Sequence, residues 1–335
     1  MISRLRFWLV GKFKSFLVLL GIFDFIAGRR QDRITFITER RRPKFESRHH
    51  NTWCADPRSD TAIVLQGPIW RGDDFTVESV RRYRTNFPNA PIIVSTWTSE
   101  IGRDTELIED LGGIVVHQEP PSFAGISNQN LQLFSSRLGV LKAEQFGVTH
   151  VIKSRTDQRC YSERMLGLLH ETLNCFPLGS GMGEQERRII GLSFNTFAYR
   201  MYGMSDMFTF GTCADSSKYW DGTPDMRKLE DLIVFKTMRE FAEKRLCEVK
   251  FCSEFLARTG WDLKWTLEDS WNAFAERFVI LDASAVDLYW PKYSSIEECH
   301  RRYDAYPKFL EIDFAWWLMI YGRNINPDET ILDFR

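Results

Sequence analysis

The stretch His150 to Arg159, HVIKSRTDQR, decides how this chain is to be read. Its opening is apolar and β-branched, the composition of a buried strand. It then turns polar: Lys153, Ser154, Arg155, Thr156, Asp157, Gln158, Arg159. A strand that leaves the core and delivers charges at its C-terminal end is where open α/β sheets bind ligands. Asp157 between Arg155 and Arg159 suits a phosphate-bearing ligand, the acid holding a divalent cation and the arginines gripping oxyanions. A solvated loop closed by a local ion pair fits the same residues.

Working upstream, TAIVLQ (Thr61 to Gln66) is a short apolar strand stopped by Gly67-Pro68. Asp73 and Asp74 offer N-terminal caps for a helix through Asn86, with Phe75, Val80, Tyr83 and Phe87 facing inward. Pro91 to Trp97 is a second strand, Thr105 to Leu111 a short helix ended by Gly112-Gly113, and Ile114 to Gln118 a third strand. Strands alternating with helices argue for a parallel sheet with right-handed crossovers. The next helix begins near Asn128, and Leu131, Phe134, Leu138, Leu141 and Gln145 form its expected inner stripe. Asn128 and Asn130 at its start serve either as caps or as amides for a base or ribose. That helix ends at Gly147 and feeds the strand carrying Asp157. Thr61 to Gln158 therefore reads as one Rossmann-like unit.

The charge is unevenly spread. The net is −1 over 335 residues, yet the first fifty hold twelve Lys/Arg against four Asp/Glu. RFWLVGKFKSFLVLLGIFDF interleaves basic with large apolar residues, and its uncharged run, Ser15 to Phe23, is too short to cross a bilayer. An amphipathic helix lying in the membrane interface is expected over this arm, residues 1–50, each basic residue near an anionic leaflet contributing about 1 kcal/mol. A terminal helix packed on the domain is the other reading. Nucleic acid is not an expected partner, because no recognisable nucleic-acid module follows the basic arm. Seven scattered cysteines, with no C-x-x-C pair, read as free thiols of a reducing cytoplasm.

Downstream, Gly179 to Gly183 (GSGMG) lacks the spacing of a phosphate-cradling fingerprint and reads as a loop. Ser205 and Asp206 stand at the mouth of another apolar strand. Leu229 to Phe241 and Glu248 to Arg258 are helices by periodicity, and FAWWLMIY (Phe314 to Tyr321) is expected to be a buried helix.

Six segments then fall into a known order: IVLQGPI (Ile63 to Ile69), YRTNFPNAPIIVSTW (Tyr83 to Trp97), NQNLQ (Asn128 to Gln132), VIKSRTDQR (Val151 to Arg159), SDMFTFG (Ser205 to Gly211) and WPKY (Trp290 to Tyr293). Together they resemble the WavE family of lipopolysaccharide-synthesis proteins, over roughly Thr61 to Tyr293. The resemblance implies an α/β, GT-A-like, Rossmann-type mixed sheet flanked by helices, one catalytic domain spanning 61–335. It implies a glycosyltransferase that moves a sugar from a nucleotide-sugar donor to a lipid-linked or oligosaccharide acceptor, a lipopolysaccharide core or related surface polysaccharide. With the basic arm, that places the protein on the cytoplasmic face of the inner membrane.

Carried over by position, Gln66, Gly67 and Pro68 would hold the nucleotide, and Asn128 and Asn130 its base or ribose. Asp157 would stand in the Asp-x-Asp metal region, with Arg155 where a first acid is expected. Either Asp157 holds Mg²⁺ or Mn²⁺, or Arg155 and Arg159 neutralise the leaving diphosphate without a metal. For the base that meets the acceptor, Glu248 at a helix start is preferred over Asp206, which would orient the acceptor. Asp231 is a third candidate for that base, although beside Glu230 it also suits an acidic first turn. A non-catalytic nucleotide-sugar-binding or scaffold subunit is the rival expectation, raised by the missing second acid.

Overall fold

The computed structural model describes residues 55–227, 247–292 and 310–328, with 237, 240, 242 and 244. The basic arm, Asp231 and most of the helix expected at 229–241 lie outside the described residues. The elements run β1 (Thr61–Gln66), α1 (Phe75–Asn86), β2 (Ile92–Trp97), α2 (Arg103–Asp110), β3 (Ile114–Gln118), α3 (Gln129–Glu144), β4 (His150–Arg155) and β5 (Arg159–Cys160). After these come α4 (Met165–Cys175), β6 (Ile189–Leu192), β7 (Thr209–Thr212), α5 (Cys213–Tyr219), α6 (Cys247–Arg258), α7 (Leu267–Arg277), β8 (Phe278–Leu281), β9 (Leu288–Tyr289) and α8 (Phe314–Tyr321).

Seven strands make one mixed sheet, in the order β3-β2-β1-β4-β7-β6-β8. The expected parallel pairing holds through β3, β2, β1 and β4. Beyond that unit β7 runs antiparallel to both β4 and β6, while β8 is parallel to β6, which makes the sheet mixed as expected. The protein is thus an α/β fold with a mixed sheet flanked by helices. Every residue of β1 and β2 is buried, because helices cover both faces, and this is why those strands read as unbroken apolar runs.

Three local expectations give way. Helix α3 does not present the stripe of large residues to the sheet: Leu141 is exposed, while Ser135, Ser136, Gly139, Val140 and Ala143 are buried. The helix lies so close to β1 and β2 that a Cβ at Gly139 would collide with Val64 and crowd Ser95. Small residues win this face because they permit that approach. Asp73 and Asp74 precede α1 in left-handed conformation, and Asp74 makes no side-chain capping bond. Helix α8 buries Trp317 and Ile320 and leaves Leu318, Met319 and Tyr321 exposed, so it is a surface helix and not a buried one. Among the described residues no helix is long and apolar enough to cross a membrane. The five described cysteines are free.

Candidate functional site

Four parallel strands and one reversed neighbour bring the exits of β1 and β4 to the same edge as the segment leading into β7. The exit loop of β1 is tied to that of β4. Thr156 donates its backbone N–H to the Gln66 carbonyl (3.1 Å) and its hydroxyl to the Pro68 carbonyl (2.6 Å). Gly67 sits between them at φ +117°, where a side chain would be strained and would crowd the Thr156 hydroxyl. Gly67 and Pro68 thus shape the rim. The Gln66 side chain turns away from it and accepts from Ser135 Oγ (2.7 Å) beneath α3.

Asp157 is clamped. Arg155 donates Nε to Oδ1 (2.7 Å) and Nη2 to Oδ2 (2.9 Å), and the Trp290 indole N–H donates to Oδ2 (3.1 Å). Trp290 arrives there because β5 pairs with β9, Arg159 opposite Tyr289, so the residue that follows β9 lands beside the β4 exit. Burial raises the Asp157 carboxyl, but the hydrogen bonds and charge of Arg155 outweigh it and hold the group below its ordinary value. Both oxygens face protein donors. In this arrangement the donor set does not fit a cation held by Asp157, and no step below is routed through one.

Arg159 is equally committed, but elsewhere. It donates Nε to Ser79 Oγ (2.9 Å), Nη1 to the Tyr161 hydroxyl (3.1 Å) and Nη2 to the Phe75 carbonyl (2.8 Å). Buried against the Phe75 ring, it braces the start of α1 and does not line the rim. Asn130 is a brace too: its amide donates to the carbonyls of Phe123 and Asp225 and accepts the Asp225 N–H (2.6 Å). Asn128, exposed and left-handed at φ 63°, caps α3 only by its backbone position.

The remaining carboxylates form a different group. Asp206, 4% exposed, lies in the segment leading to β7, and Glu248 stands in the first turn of α6. Between the strands lies Lys153, fully buried in β4, with Nζ donating to the Asp206 carbonyl (2.5 Å) and lying over the Trp220 ring at 4.4 Å. Gln132 Nε2 donates to the same carbonyl (3.2 Å). Burial and the neighbouring charge of Glu248 push the Asp206 carboxyl up to about 6, against the opposing pull of Lys153 and Arg155. Burial pushes the Lys153 ammonium down to about 7, and Asp206 opposes that shift. Glu248 is steadied by the Asn195 side-chain amide and lies 3.9 Å from Arg200 Nη1. Among the described residues, no hydrogen bond reaches the Asp206 carboxylate.

Of the residues singled out from sequence, the structure gathers Gly67, Pro68, Arg155, Asp157, Asp206 and Glu248 at one edge. Gln66, Asn130 and Arg159 it turns to internal contacts. Lys153, Arg200 and Asn195 had no part in the expected site. Lys153 carried a readable signal, since a lysine inside an apolar run demands a buried partner.

Among solved structures, the chain is similar to a cytidylyltransferase from Leptospira borgpetersenii (TM-score 0.36, 12% identity, 83% of this chain and 98% of that one). It is also similar to a mannose-1-phosphate geranyltransferase from Thermus thermophilus (TM-score 0.29, 10% identity, 59% of this chain and 67% of that one). No curated protein matches the sequence. The family model for WavE lipopolysaccharide synthesis matches residues 61–332, from the first residue of β1 to beyond α8. By that match, the chain belongs to the WavE lipopolysaccharide synthesis family.

Proposed function

We propose that the protein is a nucleotide-sugar-dependent glycosyltransferase of lipopolysaccharide or related surface-polysaccharide assembly, with a GT-A-like catalytic domain. The observation that carries this reading is the pair Asp206 and Glu248 at the mouth of a largely parallel sheet, with the Asp206 carboxyl pushed up to about 6 by its burial first and by the charge of Glu248 second. Such an edge is the usual ligand site of α/β sheets.

In the reaction, an acceptor hydroxyl oxygen bonds to the anomeric carbon as the bond from that carbon to the diphosphate oxygen breaks. The nucleoside diphosphate leaves with the bonding pair, and the hydroxyl proton passes to a carboxylate if configuration inverts. Glu248 takes that proton. Its side chain is 18% exposed and projects from a helix start, whereas Asp206 is buried beneath. A base must first reach its proton, and only then does its affinity matter. Asp206 orients the acceptor side of the site, with Lys153 holding its backbone. The partly exposed Arg155 supplies positive charge to the leaving diphosphate. The basic arm holds the protein at the membrane surface where a lipid-linked acceptor resides, and deleting residues before Gly28 releases it from anionic vesicles.

The test is turnover of a panel of nucleotide sugars with a lipopolysaccharide-core acceptor, with and without Mn²⁺. Donor-dependent transfer is expected, and it persists without the added cation. A non-catalytic nucleotide-sugar-binding subunit is the second reading, favoured by the clamped Asp157. Saturable donor binding with no transfer across the panel would establish it.

A further inference from the structure

The opposite edge of the sheet, where β1 and β4 begin, gathers another set of metal-ligating side chains. Asp60 immediately precedes β1, and His150 opens β4 opposite Thr61. The backbone N–H groups of Thr149 and His150 both donate to the Asp60 carbonyl (2.9 and 3.0 Å), which fixes the two chain segments together. His170, on α4, comes down over this edge with its ring centre 4.5 Å from that of His150. One ligand atom from each of Asp60, His150 and His170 lies within 4.8 Å of the others. Phe210 of β7 walls the site, 5.4 Å from the His150 ring and 5.2 Å from the His170 ring.

Hydrogen bonding decides which His150 nitrogen is open. Thr149 Oγ1 lies 3.2 Å from the Asp60 carbonyl and 2.8 Å from His150 Nδ1. With Nδ1 engaged by that hydroxyl, an ion at Nε2 selects the tautomer in which Nδ1–H of His150 donates to the hydroxyl oxygen. Nε2 then carries the lone pair. That atom is buried and has no hydrogen-bond partner among the described residues. A histidine held at one nitrogen by an oxygen, with the other free and turned inward, has the arrangement of a metal ligand. At His170, Nε2 lies 2.7 Å from Thr61 Oγ1 and 3.6 Å from Asp60 Oδ1. Thr61 Oγ1 is also 3.2 Å from Asp60 Oδ1, so its proton has a second acceptor when an ion takes the imidazole.

We propose that Asp60, His150 and His170 bind a zinc ion at this N-terminal edge of the sheet. Two imidazoles and a carboxylate are a zinc donor set, with bonds of about 2.0–2.2 Å, so the three ligand atoms draw together on binding. The ion links β1, β4 and α4 at the end of β4 opposite Arg155, and with three protein ligands it keeps its fourth position for water.

The full-length protein is stripped with a chelator and titrated with zinc chloride by calorimetry, and its thermal unfolding is followed with and without the ion. One equivalent binds and Tm rises. Cobalt(II) in the site shows no thiolate charge-transfer band, because no cysteine belongs to the set. Asp60→Asn, at an exposed position, weakens binding about tenfold or more, and His170→Gln weakens it further. Three results overturn the proposal: no saturable equivalent, affinity unchanged in both variants, or a thiolate band, which assigns the ion to cysteines. If His170→Gln does not fold, Asp60→Asn and His150→Gln decide the matter by the same readouts.

Discussion

Asp157 and Asp206 stand at the same edge of one sheet in opposite electrostatic conditions. Asp157 is saturated: two bonds from Arg155, one from Trp290, and a carboxyl held below its ordinary value. Asp206 is frustrated: buried, next to Glu248, and raised to about 6. A satisfied carboxylate stabilises the native state and has little left to offer a ligand. A frustrated one costs stability and is kept where chemistry needs it. The difference teaches that the Arg155–Asp157 pair is a clamp on the β4 exit and that the carboxylate left under strain is Asp206.

The strongest way to break this comparison is kinetic. Glu248→Gln is expected to cut turnover about a hundredfold or more with donor affinity near normal, measured by transfer rate and equilibrium donor binding. If that variant turns over normally and Asp206→Asn does not, the two exchange roles.

Asp157→Asn tests the clamp. Removing one partner of a buried ion pair costs about 3–5 kcal/mol. The Arg155 side chain is 28% exposed, so water offsets part of this and about 2–3 kcal/mol is expected. Urea unfolding measures it. A loss under about 0.5 kcal/mol, as for an ordinary surface acid, would mean the pair does not hold the β4 exit.

That expectation reverses what the sequence implied, since a polar residue just past a strand end reads as exposed. The strands of the first half were legible because burial on both faces leaves unbroken apolar runs such as AIVL (Ala62 to Leu65). The buried face of α3 was not, because Ser135, Ser136 and Gly139 carry no hydrophobic signal, and close approach to Val64 is a tertiary fact. Asp206 and Glu248 could be named from their places at a strand mouth and a helix start. Their electrostatic coupling could not, because 41 intervening residues separate them and the reversal of β7, which brings Asp206 to the exit of β4, is a tertiary fact. Arg155 and Arg159 look interchangeable in the sequence. The β5–β9 pairing separates them, sending one to the rim and the other beneath α1.

The pH dependence of stability sharpens the comparison further. Asp206 titrates near 6 in the folded protein against an ordinary 3.8. The native state therefore keeps a proton that the unfolded chain has released, and this stabilisation, full below about pH 4, is lost as pH rises through about 6. Asp157 is displaced the other way, so its contribution is present above about pH 4 and is lost on further acidification. Between pH 6 and 4 the wild type should gain stability relative to Asp206→Asn, in parallel urea titrations. Equal slopes for the two proteins would remove the claim that Asp206 is strained.

The smallest expected effect falls on Trp290, and it asks how much of the clamp is charge and how much is cover. Its indole N–H is one of three donors to Asp157, and the Arg155 guanidinium lies 5.4 Å over its ring. Trp290→Phe removes the donor and part of the bulk but keeps an aromatic face for Arg155 and for Phe194, whose ring stands edge-on at 5.7 Å. Asp157 Oδ2 retains Arg155 Nη2, so no oxygen is orphaned, and the cost should stay near about 1 kcal/mol, below that of Asp157→Asn. The measurement is urea unfolding of both single variants and the double variant. If indole and carboxylate act through their hydrogen bond, the double variant is less damaged than the two losses added, by about 0.5 kcal/mol or more. Strict additivity would mean that Trp290 merely covers the ion pair from water, and the low Asp157 carboxyl would then be the work of Arg155 alone.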